Sequence, residues 1–323
     1  MITTVLFSSG KISFNLPREM VAPAIAQSGS HVWADFSKPD NDEIAMLDEV
    51  FHFHPLAIGN CLAAGAAPHV MNLDDCVFVS LAIFDYDARQ KKMLSYPLHL
   101  FIGGQHLITV HRDDLPVLGE AFEIIKQNPA ATLGAGADFA AYTILGLVAD
   151  HYVALLETIG DRIDKNEEHV YSAKAHDVSL ELFKLKKEIL FLRRTIAPLR
   201  DGVLRLTRED ISVISPKVKI YFHDIHERLY RICETIDTFK DIVLSTQDLQ
   251  LSLISHKTNQ IVKTLTVITT VIMPLTLLSG IYGMNVRHLP PELEWRHGFY
   301  TILGAMGVIA LISLAIFKKK KWF

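Results

Sequence analysis

Two apolar stretches near the end of the chain decide its fold: residues 264–282 read TLTVITTVIMPLTLLSGIY, and residues 298–317 read GFYTILGAMGVIALISLAIF. Neither stretch contains a charged residue. At about 1.5 Å of rise per residue, a helix over either one would cross roughly 30 Å, the thickness of bilayer hydrocarbon. We therefore predict two transmembrane helices, TM1 at 264–282 and TM2 at 298–317. The alternative is a pair of buried helices in a soluble core, but the preceding residues offer no comparably apolar surface to cover them.

Basic residues flank these stretches and set the expected orientation. Lys318–Lys321 follow TM2 directly, in a basic tail at 318–323, and Lys257 and Lys263 precede TM1. Because basic residues favour the cytoplasmic side, we expect both termini in the cytoplasm and the loop at 283–297 outside. The first ten residues, MITTVLFSSG, lack a basic region followed by an apolar one, so no signal peptide is expected. We predict a multi-pass protein of a bacterial-type inner membrane.

Composition and motifs exclude several classes of function. The 323-residue chain carries a formal net charge of -4 and has no basic stripe before its last residues, so we expect no nucleic-acid partner. Three widely spaced cysteines give neither a disulfide framework nor a metal knuckle, and we expect no covalently bound cofactor. No nucleophile with a local base emerges, so an enzyme is not predicted. Neither a phosphate-binding GxxxxGK[ST] motif nor a carboxylate within the spans is present, so no machinery for coupling to ATP or to a proton relay is predicted.

A long helix is expected before TM1. Residues 217–273 contain no Gly or Pro, and Pro216 occupies a first-turn position. A stalk helix at 216–263 should therefore continue into TM1 as one element, roughly 85 Å long over those 57 residues. Its apolar residues follow a heptad spacing that predicts self-association, at Ile225, Leu229, Ile232, Ile236, Phe239 and Val243. Packing against the preceding helical segment of the same chain is the alternative, and we expect both contacts.

The upstream residues predict a mixed domain followed by further helices. Long cytoplasmic helices are expected within 131–215, over 138–168 and 172–206, with Pro198 kinking or capping the second. Residues 1–130 should form a cytoplasmic α/β domain. Its expected strands are 77–86, 95–102 and 106–111, and its expected helices lie near 42–53 and 114–127.

The end of TM1 carries a family resemblance. Tyr282, Gly283, Met284 and Asn285 are followed by LPPELEW at 289–295. The sequence resembles the CorA family of divalent-cation transporters, within the 2-TM-GxN superfamily. The likeness is close from about Tyr221 to the terminus, traceable through 180–200, and thin before residue 130. It implies a funnel-shaped homopentamer whose first spans line one central pore, with a cytoplasmic domain that senses the ion.

The resemblance also implies which residues meet the ion. Gly283, Met284 and Asn285 would form the selectivity filter, with Glu292 in the external loop. The lumen of the pore would be lined by Asn259, Val262, Leu265, Thr269, Met273, Thr276 and Gly280. For Thr269 and Thr276 the alternative is a hydroxyl hydrogen bond to a carbonyl of the same helix.

The regulatory site departs from the pattern of the family. Asp224 matches an acidic residue that bridges subunits through Mg2+ in well-known members, but Gly59, Asn60 and Gly146 stand where further acids are usual. Sensing could have moved to Asp74, Asp75 or Asp150, or the protein could be poorly gated by Mg2+ or use another ion. The candidate regulatory metal site is one turn of helix whose imidazole and carboxylate groups suit Zn2+ or Co2+, formed by His223, Asp224, His226 and Glu227. The alternative is that these residues form an ordinary solvated helix face.

The leading functional interpretation is passive uptake of Mg2+, driven by the membrane potential, through a pore formed by several copies of the chain. Two alternatives remain open at this point. One is transport of Zn2+, Co2+ or Ni2+ in the manner of the ZntB-like branch. The other is a membrane-anchored sensor without conductance. The expected partners are therefore the lipid bilayer, divalent metal ions and further copies of the chain.

Overall fold

The computed structural model describes residues 1–27, 29–63, 68–73, 75–87, 89–171, 175–208, 211–284, 297–320 and 322. For residues 171 and 175–177 only the backbone is described. The chain divides into two compact units, Met1–Thr246 and Gln247–Phe323. Each is treated by itself below.

The first unit is built on a seven-stranded sheet. Its strands are β1 (Ile2–Ser8), β2 (Lys11–Phe14), β3 (Ser30–Ser37), β4 (His69–Leu73), β5 (Cys76–Asp87), β6 (Lys92–Gly103) and β7 (His106–His111). Their order across the sheet is β2-β1-β3-β7-β6-β5-β4. Strands β3 and β7 pair in parallel, from Val32 opposite His106 to Ser37 opposite His111, and the other described pairs are antiparallel.

Eight α-helices accompany the sheet within the described residues. They are α1 (Arg18–Ala26), α2 (Asn41–Glu49), α3 (Pro55–Leu62), α4 (Pro116–Gln127), α5 (Ala137–Tyr171), α6 (Ala175–Arg208), α7 (Lys219–Tyr282) and α8 (Gly298–Lys319). A short 3-10 turn at Leu133–Ala135 precedes α5. Helix α7 begins in the first unit and ends in the second.

The sheet is covered on both faces, and this explains its apolar central strands. Alternate residues of β5 belong to different cores: Val77, Val79 and Leu81 pack with α5, α6 and the start of α7, whereas Phe78 packs with α2 and α3. A strand buried on both faces loses the alternation of apolar and polar residues and becomes a continuous apolar run. This is why VFVSLAIFDY at 77–86 is recognisable as a strand in the sequence.

Several predicted boundaries were wrong. The helix expected near 42–53 ends at Glu49, because His52 adopts a positive φ of 55° and His54 is extended to cap α3, which starts at Pro55. Helix α4 starts at Pro116 rather than at residue 114. Helix α7 starts at Lys219, because residues 216–218 form a turn before it. Pro198 lies inside α6, which continues on both sides of it.

Helices α5, α6 and α7 form a bundle in the first unit. Helix α5 runs parallel to α7, since Asp150 pairs with Arg228 and Glu167 with Thr246 at a nearly constant offset of 78 and 79 residues. Helix α6 is antiparallel to both. Its Glu188 accepts from Arg162 of α5 at 2.6 Å, and its Arg193 Nε donates to Asp237 of α7 at 3.0 Å.

The heptad seam of α7 lies inside this bundle. Ile225, Leu229, Ile232, Ile236 and Val243 are at most 2% exposed, and Phe239 packs beside them against the same core. The prediction that this seam mediates self-association was therefore wrong. The seam is instead buried against the preceding helices of the same chain, because α5 and α6 present an equally apolar surface of their own.

Candidate ion-conduction site

In the second unit the candidate site follows one face of α7. An open groove of about 920 Å³ runs along the helix between Ile268 and Met284. Four predicted pore residues line it, namely Thr269, Met273, Thr276 and Gly280. Asn259, Val262 and Leu265 lie on earlier turns of the helix and are exposed. The groove is almost wholly apolar apart from its two threonines.

The threonine hydroxyl groups bond within the helix. Thr269 Oγ1 donates to the carbonyl of Leu265 at 2.9 Å, and Thr276 Oγ1 donates to that of Ile272 at 3.0 Å. This is the alternative considered for both positions in the sequence. Because the hydroxyl proton is used internally, each Oγ1 presents only its lone pairs to the groove.

Near the end of α7 a proline leaves one carbonyl without its helical donor, and a glycine follows the last helical residue. Pro274 lies inside α7 and has no N–H to donate to the carbonyl of Thr270. The helix ends at Tyr282, and the Gly283 N–H closes the last turn on the carbonyl of Ser279 at 2.9 Å. A Cβ at Gly283 would lie 3.0 Å from that same oxygen. A side chain at residue 283 would therefore be crowded where the helix meets the loop.

Three residues singled out in the sequence lie outside the part of the chain that the structure describes. Asn285 of the predicted filter and Glu292 of the predicted external loop lie outside the described residues. Asp74, a candidate for displaced sensing, does so too. Met284 is described and is 60% exposed.

The predicted regulatory residues on α7 point in different directions. His223 and Glu227 are exposed, Asp224 faces α5, and His226 faces α6, where its ring Nδ1 lies 3.3 Å from the carbonyl of Arg200. The rings of His223 and His226 are 6.1 Å apart. Among the residues that the structure describes, no group of three or more His, Cys, Asp or Glu side chains could hold a metal ion.

Asp224 instead takes part in an ion-pair bridge. Arg228 Nε lies 2.9 Å from Asp224 Oδ2, and its second branch lies 3.0 Å from Asp150 Oδ1 on α5. The guanidinium thus bridges carboxylates of two parallel helices. Only half of this bridge was readable in the sequence, as the i, i+4 spacing of Asp224 and Arg228. Asp150 comes from 78 residues away and needed the helix register.

The other candidates near the sheet are also dispersed. The Asn60 side-chain amide lies 3.2 Å from His69 Nε2, and His54 Nδ1 accepts from the Leu56 N–H as the cap of α3. Asp75 occupies the tight turn between β4 and β5.

Within the part of the chain that the structure describes, three helices are long and apolar enough to cross a membrane: α5, α7 and α8. The most apolar window of α5 is half buried within the first unit, whereas the corresponding windows of α7 and α8 are 6% and 0% buried. A helix covered by protein has its apolar surface satisfied, while one left uncovered requires lipid or a partner. We therefore assign α5 to the soluble core and the other two to the bilayer.

The fold and the site define an integral membrane protein with an α/β domain, one long helix that reaches the bilayer, and a second C-terminal membrane helix. A family described as CorA-like Mg2+ transporter protein matches residues 28–319. The cobalt/magnesium transport protein CorA of Thermotoga maritima is 35% identical over 87% of this chain and 80% of its own length. The putative metal ion transporter YfjQ of Bacillus subtilis is 30% identical over 99% of this chain and 98% of its own.

A solved structure shows the same fold over the whole chain. The complete CorA magnesium transporter of Methanocaldococcus jannaschii superposes with a TM-score of 0.85 at 21% identity, covering 100% of this chain and 99% of that one. This chain belongs to the CorA family of divalent-cation transporters. The resemblance stated on the Gly-Met-Asn turn is confirmed, and so is the predicted fold class.

Proposed function

We propose that this protein conducts Mg2+ passively into the cell through a pore lined by the α7 spans of several copies, five by likeness to its family. Membership of a divalent-cation transporter family supports the class of cargo. The observation that carries the proposal is the face of α7 at Thr269, Met273, Thr276 and Gly280, which one chain leaves open as a groove. A transporter, not an enzyme, is the activity that this arrangement favours.

The chemistry of that face suits a hydrated ion. Mg2+ releases its water reluctantly, so a pathway of low barrier should hold the ion with its water shell. Waters bound to a cation point their hydrogens outward, and the lining must therefore accept hydrogen bonds. The lone pairs of Thr269 and Thr276 are such acceptors, without a carboxylate that would trap the ion.

The outer filter is proposed at Gly283, Met284 and Asn285. The Asn285 side-chain oxygen would offer one more neutral acceptor per copy, and a ring of copies would surround the hydrated ion. Gly283 supports this arrangement because it ends α7 where a side chain would crowd the backbone. Leu265 and Met273 would form the hydrophobic constrictions, with Asn259 as the inner polar ring.

The driving force is the membrane potential. A divalent cation gains about 4.6 kcal/mol per 100 mV, double the single-charge value, which supports accumulation of roughly a thousandfold. The basic tail after α8 supports cytoplasmic termini and an external loop at 283–297, because basic residues favour the cytoplasmic side. We propose the inner membrane of a bacterial-type cell as the location.

Cobalt is the second candidate cargo, since the Thermotoga relative is a cobalt/magnesium transport protein. The turn at His223, Asp224, His226 and Glu227 would be the regulatory metal site in that case. Within one chain its side chains diverge, so a metal there would need ligands from a neighbouring copy. A Zn2+, Co2+ or Ni2+ preference is separated from a Mg2+ preference by the transport measurement below.

The test is ion flux in proteoliposomes with an imposed potassium-diffusion potential. We expect Mg2+ influx with an inside-negative potential, and at least a tenfold loss for Asn285→Ala. A matched control is Thr258→Ala, whose hydroxyl bonds within α7 well before the predicted filter. If the wild type takes up Zn2+ or Co2+ and added Mg2+ does not compete, then that ion, and not Mg2+, is the cargo. Absence of any flux would favour a sensor and overturn the proposal.

A further inference from the structure

Helix α8 ends in three exposed lysines that are held on the helix. Lys318 and Lys319 are its last residues, and Lys320 caps it through an N–H that donates to the carbonyl of Ile316 at 3.0 Å. Successive residues of a helix rise about 1.5 Å and turn about 100°, so the three side chains leave the helix end in different directions at almost one height. We name Lys318, Lys319 and Lys320 the basic turn.

Trp322 folds back from the basic turn onto the span. Its backbone N–H donates to the carbonyl of Phe317 at 3.1 Å, and the centroids of the two aromatic rings are 5.4 Å apart. Phe317 is the last residue of the apolar stretch that we assign to the bilayer. The indole therefore lies at the end of the span, and tryptophan favours the boundary between lipid and water.

The opposite end of α8 is aromatic but carries no lysine. Phe299 and Tyr300 are each 71% exposed, and their rings pack edge to face at 5.7 Å. From Tyr300 to Phe317 the helix rises about 26 Å, close to the roughly 30 Å of bilayer hydrocarbon. Aromatic side chains thus mark both boundaries of the bilayer, and the basic turn lies at one of them.

The basic turn has no carboxylate partner in the part of the second unit that the structure describes. None of its three lysines forms an ion pair with a described residue. Residues 249–291 and 295–323 contain no Asp or Glu, and the intervening acids belong to the loop between the spans. Lys263, which is also exposed, precedes TM1 and so meets the same leaflet as the end of TM2. Uncompensated ammonium groups at this depth attract the phosphates of anionic lipids.

We propose that the basic turn binds anionic phospholipids of the cytoplasmic leaflet, with its ammonium groups at the headgroup phosphates and the Trp322 indole beside the lipid glycerol. Lysines at the end of a span keep their methylene groups in apolar surroundings while their charged ends reach the headgroups. Each lysine near an anionic surface strengthens the attraction about fivefold. This inference needs only the assignment of α8 to the bilayer and holds whichever ion the protein conducts.

Quenching of Trp322 fluorescence by brominated lipids tests the site in the full-length protein. Trp295→Phe leaves Trp322 and the buried Trp33 as the fluorophores. Vesicles contain phosphatidylcholine and phosphatidylglycerol in one fixed ratio, and the bromine is carried either by the phosphatidylglycerol or by an equal molar amount of phosphatidylcholine. We expect brominated phosphatidylglycerol to quench about threefold more strongly, because it is enriched at the basic turn. Salt at about 1 M shortens the Debye length to about 3 Å and should remove most of this difference.

Charge variants assign the preference to the basic turn. Replacing its lysines by glutamine, as Lys318→Gln, Lys319→Gln and Lys320→Gln together, should make the two lipids quench almost equally. Replacing all three by arginine should retain the preference, since the charge is kept. The matched control removes three charges from exposed lysines of the first unit and should behave like the parent protein: Lys11→Gln, Lys92→Gln and Lys187→Gln.

Three results would overturn the site. Equal quenching of the parent protein by the two lipids would do so, because lysines that face a neighbouring copy or bulk water enrich no lipid. Loss of the preference on adding inorganic phosphate, at an ionic strength matched with sodium chloride, would assign the turn to free phosphate instead. A preference that survives in the glutamine variant would lie elsewhere on the protein. Mg2+ influx is measured in the same vesicles, and influx together with equal quenching would leave the proposed function intact.

Discussion

At the scale of single residues, the two glycines at the end of α7 serve different purposes. A Cβ at Gly283 would lie 3.0 Å from the Ser279 carbonyl oxygen, whereas a Cβ at Gly280 would meet nothing within 4 Å in the same chain. Any requirement for glycine at 280 must therefore come from outside the chain. In the proposed pore, that requirement is space for the hydrated ion.

The first prediction compares Gly280→Ala with Gly283→Ala. We expect Gly280→Ala to leave the yield unchanged and not to lower the thermal unfolding midpoint, since alanine favours the helix and its Cβ meets nothing in the same chain. Mg2+ influx into proteoliposomes should fall severalfold, because each copy adds a methyl group to the path. Gly283→Ala should lower both influx and the unfolding midpoint, because the helix end is disturbed within the chain. Unaltered influx in Gly280→Ala would remove that residue from the lumen.

A second residue-scale prediction concerns His111 at the end of β7. Its Nε2 lies 3.1 Å from the Asp35 carboxylate, and its Nδ1 contacts the carbonyl of Asp113. Thr109 donates to the other oxygen of Asp35. Both partners of the ring accept hydrogen bonds, so both ring nitrogens must donate. Burial lowers the pKa of His111, but the hydrogen bond and charge of Asp35 outweigh it, and the pKa is raised overall.

A raised folded-state pKa means that this stabilisation is complete below the unfolded value near 6.5 and is lost as pH rises through the folded value. We expect the free energy of unfolding of the full chain to fall by about 1–2 kcal/mol as the pH rises from about 6.5 through the folded-state pKa of His111. Tryptophan fluorescence can follow unfolding, since Trp33 is buried beside Thr109. His111→Gln should flatten the fall, and an identical pH profile in that variant would refute the assignment.

Local patterns in the sequence identified features that one helix or turn holds entirely. The Gly-Met-Asn stretch indicated the family, and the intrahelical hydrogen bonds of Thr269 and Thr276 were considered as the alternative to a role in the lumen. The Asp150–Arg228–Asp224 bridge was missed because its members are joined by packing of α5 on α7, which no local pattern encodes. For the same reason the sequence did not indicate that His223, Asp224 and His226 diverge, since these residues are close in sequence but face different neighbours.

At the scale of elements, the close packing of α5 on α7 depends on small residues. A Cβ at Gly146 would lie 3.8 Å from Ile225 Cδ1, an ordinary contact, whereas one at Gly160 would lie 3.3 Å from Phe239 Cζ. Both glycines are inside α5, where glycine costs about 1 kcal/mol relative to alanine. The available space therefore decides the outcome of each substitution.

We predict that Gly146→Ala raises the free energy of unfolding by about 0.5–1 kcal/mol, because the helix gains propensity and the added methyl group fits. Gly160→Ala is the matched variant and should gain less or lose, since the Phe239 ring must move. Thermal unfolding of the two variants in the same detergent measures the difference. A larger gain for Gly160→Ala would contradict the described packing.

The elements with strong periodicity or long apolar runs were predicted, together with α2 and α4, and the remaining strands and helices were not. Helices α5 to α8 and strands β5 to β7 have strong periodicity or long apolar runs, and the sequence indicated all of them. Strands β1 to β4 and helices α1 and α3 are short, and which of their side chains are buried is decided only when the sheet and its covering helices pack together. The heptad seam of α7 was read correctly as an interface, but its partner belongs to the same chain.

At the scale of the whole molecule, the distribution of charged and apolar residues along the chain already distinguishes its two units. Most of the charged residues lie in the first unit, where ion pairs join the helices, and the most apolar helix windows of α7 and α8 are left uncovered by protein. An uncovered apolar helix is stable in lipid, and a groove with acceptor groups on that helix is useful only if other copies complete it. The number of copies was not derivable from the residues, because no pattern in one chain encodes a rotation angle.

The central claim is that α7 spans from several copies surround a water-filled path, and substituted-cysteine modification during conduction tests it most directly. Thr276→Cys lies in the groove, while Leu278→Cys is two residues on and so on the opposite side of the helix. With Mg2+ influx as the readout, we predict that a small water-soluble cationic thiol reagent blocks Thr276→Cys at least tenfold and leaves Leu278→Cys conducting. Equal insensitivity of both variants, with mass spectrometry showing the thiol introduced by Thr276→Cys unmodified, would contradict the account.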